Sequence, residues 1–75
     1  MQLSYKLLLH KEADGKYTVI IPALPGCVTY GKNIDDAISM AKEAIELYIE
    51  ELQSRNETIL DDSNTIEYSL NIATA

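Results

Sequence analysis

Between Asn33 and Ser54 the apolar residues recur with the spacing of a helix. Ile34, Ala37, Ile38, Ala41, Ile45, Tyr48, Ile49 and Leu52 fall at offsets of 3, 4, 7 and 11, so on a helix they form one stripe. Asp35, Asp36, Lys42, Glu43, Glu46, Glu50 and Glu51 lie mostly off it. Asn33 is suited to cap the first turn, because its side-chain oxygen accepts from the free N–H groups there. Asp35 and Asp36 then put negative charge where the helix dipole is positive. A stripe of this kind must be covered, and the remaining segments read as its cover.

Leu3 to His10 predicts a strand with Leu3, Tyr5, Leu7 and Leu9 on its inner face and Ser4, Lys6, Leu8 and His10 on its outer one. Asp14-Gly15 is a hairpin signal, since glycine accepts positive φ. Tyr17 to Ile21 is β-branched and aromatic, a second strand antiparallel to the first, closed by Pro22. In Ala23-Leu24-Pro25-Gly26, Pro25 presets one turn corner and Gly26 supplies positive φ at the next, as in a type II turn. Cys27 to Tyr30 predicts a third strand, ending at Gly31 before the helix. Arg55 to Asn64 reads as a loop. Thr65 to Ile72 alternates strictly, Ile66, Tyr68, Leu70 and Ile72 against Glu67, Ser69 and Asn71, and predicts a fourth strand with one buried face.

The order β-β-β-α-β implies an α+β two-layer domain spanning 1–75: a mixed four-stranded sheet with one long helix on one face. A right-handed crossover would set the fourth strand beside the first, parallel to it. Tyr48 and Tyr68 are expected in the core with hydroxyls reaching its edge. The other sheet face carries Leu8, Ile20 and Val28 or Tyr30. A second copy is expected to cover that face or an edge strand, giving a homodimer or higher homo-oligomer.

Size and charge sharpen this picture. A chain of 75 residues buries only about 60–65% of its unfolded surface, so association is a natural source of further stability. One cysteine excludes an internal disulfide framework, and no apolar run approaches the ~20 residues needed to cross a bilayer. The chain is therefore expected to be cytoplasmic and without membrane partners. Twelve acidic against six basic side chains give a net charge of −6. That sign opposes direct binding of nucleic acid and suits a basic protein partner, although it also serves solubility.

Candidate chemistry is sparse. Two-metal phosphoryl transfer needs several carboxylates converging on ions ~3.5–4 Å apart, and Leu3 to Leu9 supplies none. Asp35 and Asp36 are explained by the helix dipole, and Asp61 and Asp62 by a solvated loop. His10 has no partner for catalysis or metal binding. Cys27 has no base beside it to lower its pKa. No catalytic, cofactor-binding or metal-ligating residue is therefore expected.

The run IPALPGCVTYGKNIDDAISMAKEAIELYIEEL, with Leu24-Pro25-Gly26-Cys27 followed by an acidic helix start and an Ala-rich amphipathic helix, resembles the core signature of the HicB antitoxins. The resemblance extends over nearly the whole chain. It implies a partial ribonuclease H-like fold and a non-enzymatic domain that masks a small basic toxin, the HicA type, which cleaves messenger RNA. Typical members add a C-terminal DNA-binding segment; here none follows the last strand, and direct DNA contact is not expected. Glu46, Glu50 and Glu51 stand toward the negative end of the helix dipole, which costs a few tenths of a kcal/mol up to ~1 each. Basic groups of a partner would reverse that cost. The expected contact surface is Pro25, Tyr30, Asp35, Asp36, Glu43, Glu46, Leu47, Glu50 and Glu51. The alternatives are a stand-alone homo-oligomeric module with an unknown ligand and, behind it, a metal-dependent nuclease.

Overall fold

The computed structural model describes residues 2–74; the two terminal residues of the expected 1–75 domain lie outside them. Three strands, β1 (Leu8–Lys11), β2 (Tyr17–Ile20) and β3 (Val28–Gly31), precede the helix α1 (Ile34–Ser54). The strands pair antiparallel in the order β1-β2-β3. Leu8 faces Ile20 across the first pair, and Ile20 faces Val28 across the second.

Each turn follows from local chemistry. Gly15, at φ 88°, closes the first hairpin, its N–H donating to the Glu12 carbonyl at 3.0 Å. The Cys27 N–H donates to the Leu24 carbonyl at 2.9 Å across Pro25 and Gly26, and Gly26 has φ 78°, the geometry a type II turn requires. Asn33 caps α1 as expected: its side chain accepts from the Asp36 N–H at 2.8 Å, while the Asp36 carboxylate accepts from the Lys32 N–H at 2.8 Å. The helix ends in a Schellman motif. Asn56 takes φ 54°, its N–H donates to the Gln53 carbonyl, and the Glu57 N–H donates to that of Leu52.

The core lies between α1 and the inner sheet face. Val19, Ile21, Leu24, Cys27, Ala37 and Ala41 are buried, and Tyr5, Leu7, Leu9, Ile45, Tyr48 and Leu52 pack around them. The small residues Ala37 and Ala41 let the helix approach β3 closely. A Cβ at Gly31 would overlap the Ala37 backbone and stand 2.7 Å from its Cβ. Gly31 is thus a contact residue, and more than a strand terminator. Ile34 and Ile38, assigned to the covered stripe by spacing, are about half exposed, because α1 lies across β2 and β3 and leaves the β1 side open.

Two expectations change. Within one chain the sheet has three strands and not four: residues 65–74 form no ladder among the described residues. Ile66, Tyr68, Leu70 and Ile72 are 72–91% exposed, so Tyr68 is not a core residue. Its counterpart Tyr48 is, and its hydroxyl donates to the Pro25 carbonyl at 2.8 Å. The reason for the difference is a turn at the start of the segment, where the Thr65 N–H donates to the Asp62 carbonyl.

Candidate partner-binding surface

The outer side of α1 carries the charge. Glu43, Glu46 and Glu50, with Asp35 nearer the N-terminus, are exposed and lie on the side opposite Ala37 and Ala41. From Asp35 to Glu50 the row runs roughly 22 Å, at ~1.5 Å per residue. Leu47 stands among these acids and is 67% exposed, an apolar group within a negative field. The last turn of α1 holds no basic residue. Arg55, just past it, meets Glu51 at 3.5 Å and Glu57 at 3.1 Å. Among the described residues, Glu43, Glu46 and Glu50 have no ion-pair partner.

The other three expected contact residues sit elsewhere. Asp36 is engaged at both ends of its cap and belongs to the helix start. Pro25 is held against α1 through the Tyr48 hydroxyl, beside a small apolar hollow that includes Leu24, Leu52 and Leu60. Tyr30 is exposed on the edge strand β3, near Lys16, Lys32 and Met40, so its surroundings are partly basic. The structure therefore gathers Asp35, Glu43, Glu46, Leu47, Glu50 and Glu51 on one helix and separates Pro25 and Tyr30 from them. Of the apolar residues Met40, Ala44 and Leu47 that flank these acids on α1, only Ala44 packs on the core; Met40 and Leu47 are exposed.

Asp61 and Asp62, taken from the sequence as solvated loop residues, have a structural task. Asp62 is 9% exposed. Its N–H donates to the Ser4 carbonyl at 2.7 Å, and its carboxylate accepts from the Lys6 N–H at 2.8 Å. This is the pattern of a parallel bridge centred on Tyr5, with the carboxylate in place of the Asp62 carbonyl. The Asp61 carboxylate accepts from the Ser4 N–H at 3.0 Å and the Ser63 hydroxyl at 2.9 Å, and these donors hold it below the ordinary carboxylate range. The Tyr5 hydroxyl donates to the Leu60 carbonyl at 2.7 Å. Burial, then the charges of Asp61 and Asp62, push this phenol upward. Three adjacent residues thus fasten the end of the loop to residues 4–6, an extension expected from the sequence as part of the first strand but lying ahead of β1. The only signal in the sequence is the Asp-Asp pair itself, which loops commonly carry for other reasons.

Reactive groups stay apart. Among the described residues no three His, Cys, Asp or Glu side chains gather where a metal ion could be held. Cys27 is buried, and burial raises its thiol, which keeps it protonated and poorly nucleophilic. No described helix is long and apolar enough to cross a membrane.

Residues 5–73 match the family model of the HicB-like antitoxins of bacterial toxin–antitoxin systems. A UPF0150 protein of Thermoplasma acidophilum is 46% identical over 61 residues, 81% of this chain and 88% of the relative. One from Helicobacter pylori is 35% identical over 68 residues, 91% and 93% of the two chains. The crystal structure of the N-terminal domain of the Burkholderia pseudomallei antitoxin HicB superposes with a TM-score of 0.66 at 29% identity, over 91% of this chain and 72% of that one.

Proposed function

The chain belongs to the HicB-like antitoxin family of bacterial toxin–antitoxin systems, and on that premise we propose that it acts by covering a small basic toxin of the HicA type. It contributes charge and shape and has no reactive centre of its own. The observation that carries the reading is the unpaired acidic row on α1 with exposed Leu47 in its midst. Three carboxylates without counterions among the described residues, on a helix whose last turn has no cation, are a local cost that Lys and Arg of a partner would convert to attraction. An apolar group inside a charged rim is also how protein interfaces are built. Asp35, Glu43, Glu46, Leu47, Glu50 and Glu51 form the contact. Pro25 and Tyr30 extend it only if the toxin reaches around the ends of the helix.

Two further parts of the reading are the chain's own association and its place in the cell. The aligned row Leu8, Ile20 and Val28 on the outer sheet face, each 44–45% exposed, and the open sheet edges support a homodimer or higher homo-oligomer. The reduced, buried Cys27 suits a cytoplasmic protein.

The test is binding of the purified chain to the basic protein encoded next to it, measured by calorimetry across a salt series. Affinity should fall as salt rises. The variant Glu43→Lys/Glu46→Lys/Glu50→Lys should bind at least ~30-fold more weakly and lose most of the salt dependence. Undiminished affinity in that variant would remove the acidic row from the contact.

A further inference from the structure

Residues 65–74 form an arm with every feature of a strand except a neighbour. Its apolar positions, Ile66, Tyr68, Leu70 and Ile72, alternate with Glu67, Ser69 and Asn71, and all four are 72% exposed or more. The molecule measures 50 × 28 × 19 Å with a radius of gyration of 14.4 Å, against ~11 Å for a compact chain of this length. Four large apolar side chains in a row, held in water, are a surface meant to be covered.

The place for such an arm exists on the same chain. β1 has only one neighbour in the sheet and so is an open edge. Because α1 lies over β2 and β3, a groove of about 340 Å³ remains beside the β1 side, lined by Tyr5, Leu7, Ile38 and Ile45 with Lys42 and Glu46 at its rim. A strand added at this edge would turn alternate side chains into that groove and leave the others in water.

The arm is turned away from its own groove. Asp62 begins a parallel bridge with the segment 4–6 that leads into β1, but its carbonyl accepts from the Thr65 N–H at 3.0 Å. That turn, through Ser63 and Asn64, diverts the chain just where the fourth strand would continue. Arm and groove are therefore both vacant in one molecule, and each is the complement of the other.

We propose that two copies exchange these arms, each laying residues 66–72 along the β1 edge of the other, with Ile66, Tyr68, Leu70 and Ile72 in the partner's groove. Two identical chains related by a two-fold axis fill both grooves and both arms at once, and the assembly closes. A foreign protein would satisfy only one of the two. At roughly 100 Å² for each buried side chain, two arms and the grooves that receive them remove somewhat over 1,000 Å² from water, enough for a specific dimer. The four-stranded sheet expected from the sequence is then completed between chains. This proposal does not depend on toxin binding, and its test uses the purified chain alone.

Sedimentation of the wild-type protein should give a dimer at micromolar concentration. Leu70→Asp alters only an exposed arm position, and Ile38→Asp a half-exposed groove position, so each single chain should keep its helical circular dichroism. Each variant alone should dissociate about a hundredfold more readily. Mixed together, they should recover a heterodimer, because the intact arm of one fits the intact groove of the other. In a mixed-label dimer, nuclear Overhauser contacts from Tyr68 and Leu70 should reach Ile38 and Ile45 of the other chain. A monomeric wild type would overturn the proposal. So would dimers that survive both substitutions, as a dimer through Leu8, Ile20 and Val28 would, or arm contacts confined to the arm's own chain.

Discussion

Removing the Asp62 carboxylate should unfasten the loop from the segment leading into β1 at a measurable cost. The carboxylate accepts from the Lys6 N–H at 2.8 Å, and both residues are at least partly shielded from water. A hydrogen bond to a charged acceptor contributes ~1.5–3 kcal/mol, and its loss strands the donor. Water can reach part of this site, so Asp62→Ala should cost about 2 kcal/mol. Asp62→Asn keeps an acceptor oxygen in place and should cost less than ~1 kcal/mol. A chain of this length holds only ~4–11 kcal/mol of stability in all. The alanine variant should therefore melt about 8–16 °C lower, at ~4–8 °C per kcal/mol. Urea unfolding at a fixed protomer concentration measures the difference, since self-association also stabilises. Amide exchange at Lys6 should quicken in the alanine variant and stay slow in the asparagine variant. An alanine variant within ~0.5 kcal/mol of wild type, with Lys6 still protected, would refute the bridging role of this side chain.

Gly31→Ala should cost ~2–3 kcal/mol, or displace the first turn of α1, because the added methyl meets the Ala37 backbone; thermal unfolding reads it. Asn33→Ala should cost about 1 kcal/mol through loss of the cap, with Asn33→Ser recovering most of it in the same assay. Asp61 titrates below the ordinary carboxylate range when folded. Its contribution is thus present at neutral pH and lost as pH falls through that lowered value. The stability difference between wild type and Asp61→Asn should accordingly be present at pH 7 and fade in strong acid; a gap that widens on acidification would contradict the hydrogen bonds from Ser4 and Ser63.

Local pattern carried most of the fold. The helix from Asn33, the turn at Pro25-Gly26, the Asp14-Gly15 hairpin and three strands all follow from periods and turn residues that act within a few positions. What lay beyond it was the choice of neighbour. The alternation at Ile66, Tyr68, Leu70 and Ile72 says that a strand wants a partner, yet nothing in a period of two says which chain supplies it. Asp62 was missed for a related reason: a carboxylate standing in for a backbone acceptor leaves no periodic trace. Gly31 was legible as a stop but not as a close approach, because that depends on Ala37 arriving from another element. Of the expected contact residues, the exposed placement of the helix acids was legible from spacing. Asp36 was not separable from them until its hydrogen bonds to Lys32 and Asn33 were seen, nor was Pro25 until Tyr48 was found holding it.

The most direct test of the account is a titration of the toxin's RNA cleavage with this chain. Stoichiometric amounts of wild-type protein should quench cleavage, and the Glu43→Lys/Glu46→Lys/Glu50→Lys variant, folded by circular dichroism, should leave it largely intact. Cleavage unaffected by the wild-type chain, or silenced equally by the charge-reversed one, would contradict the claim that this domain works by presenting an acidic helix face to a basic partner.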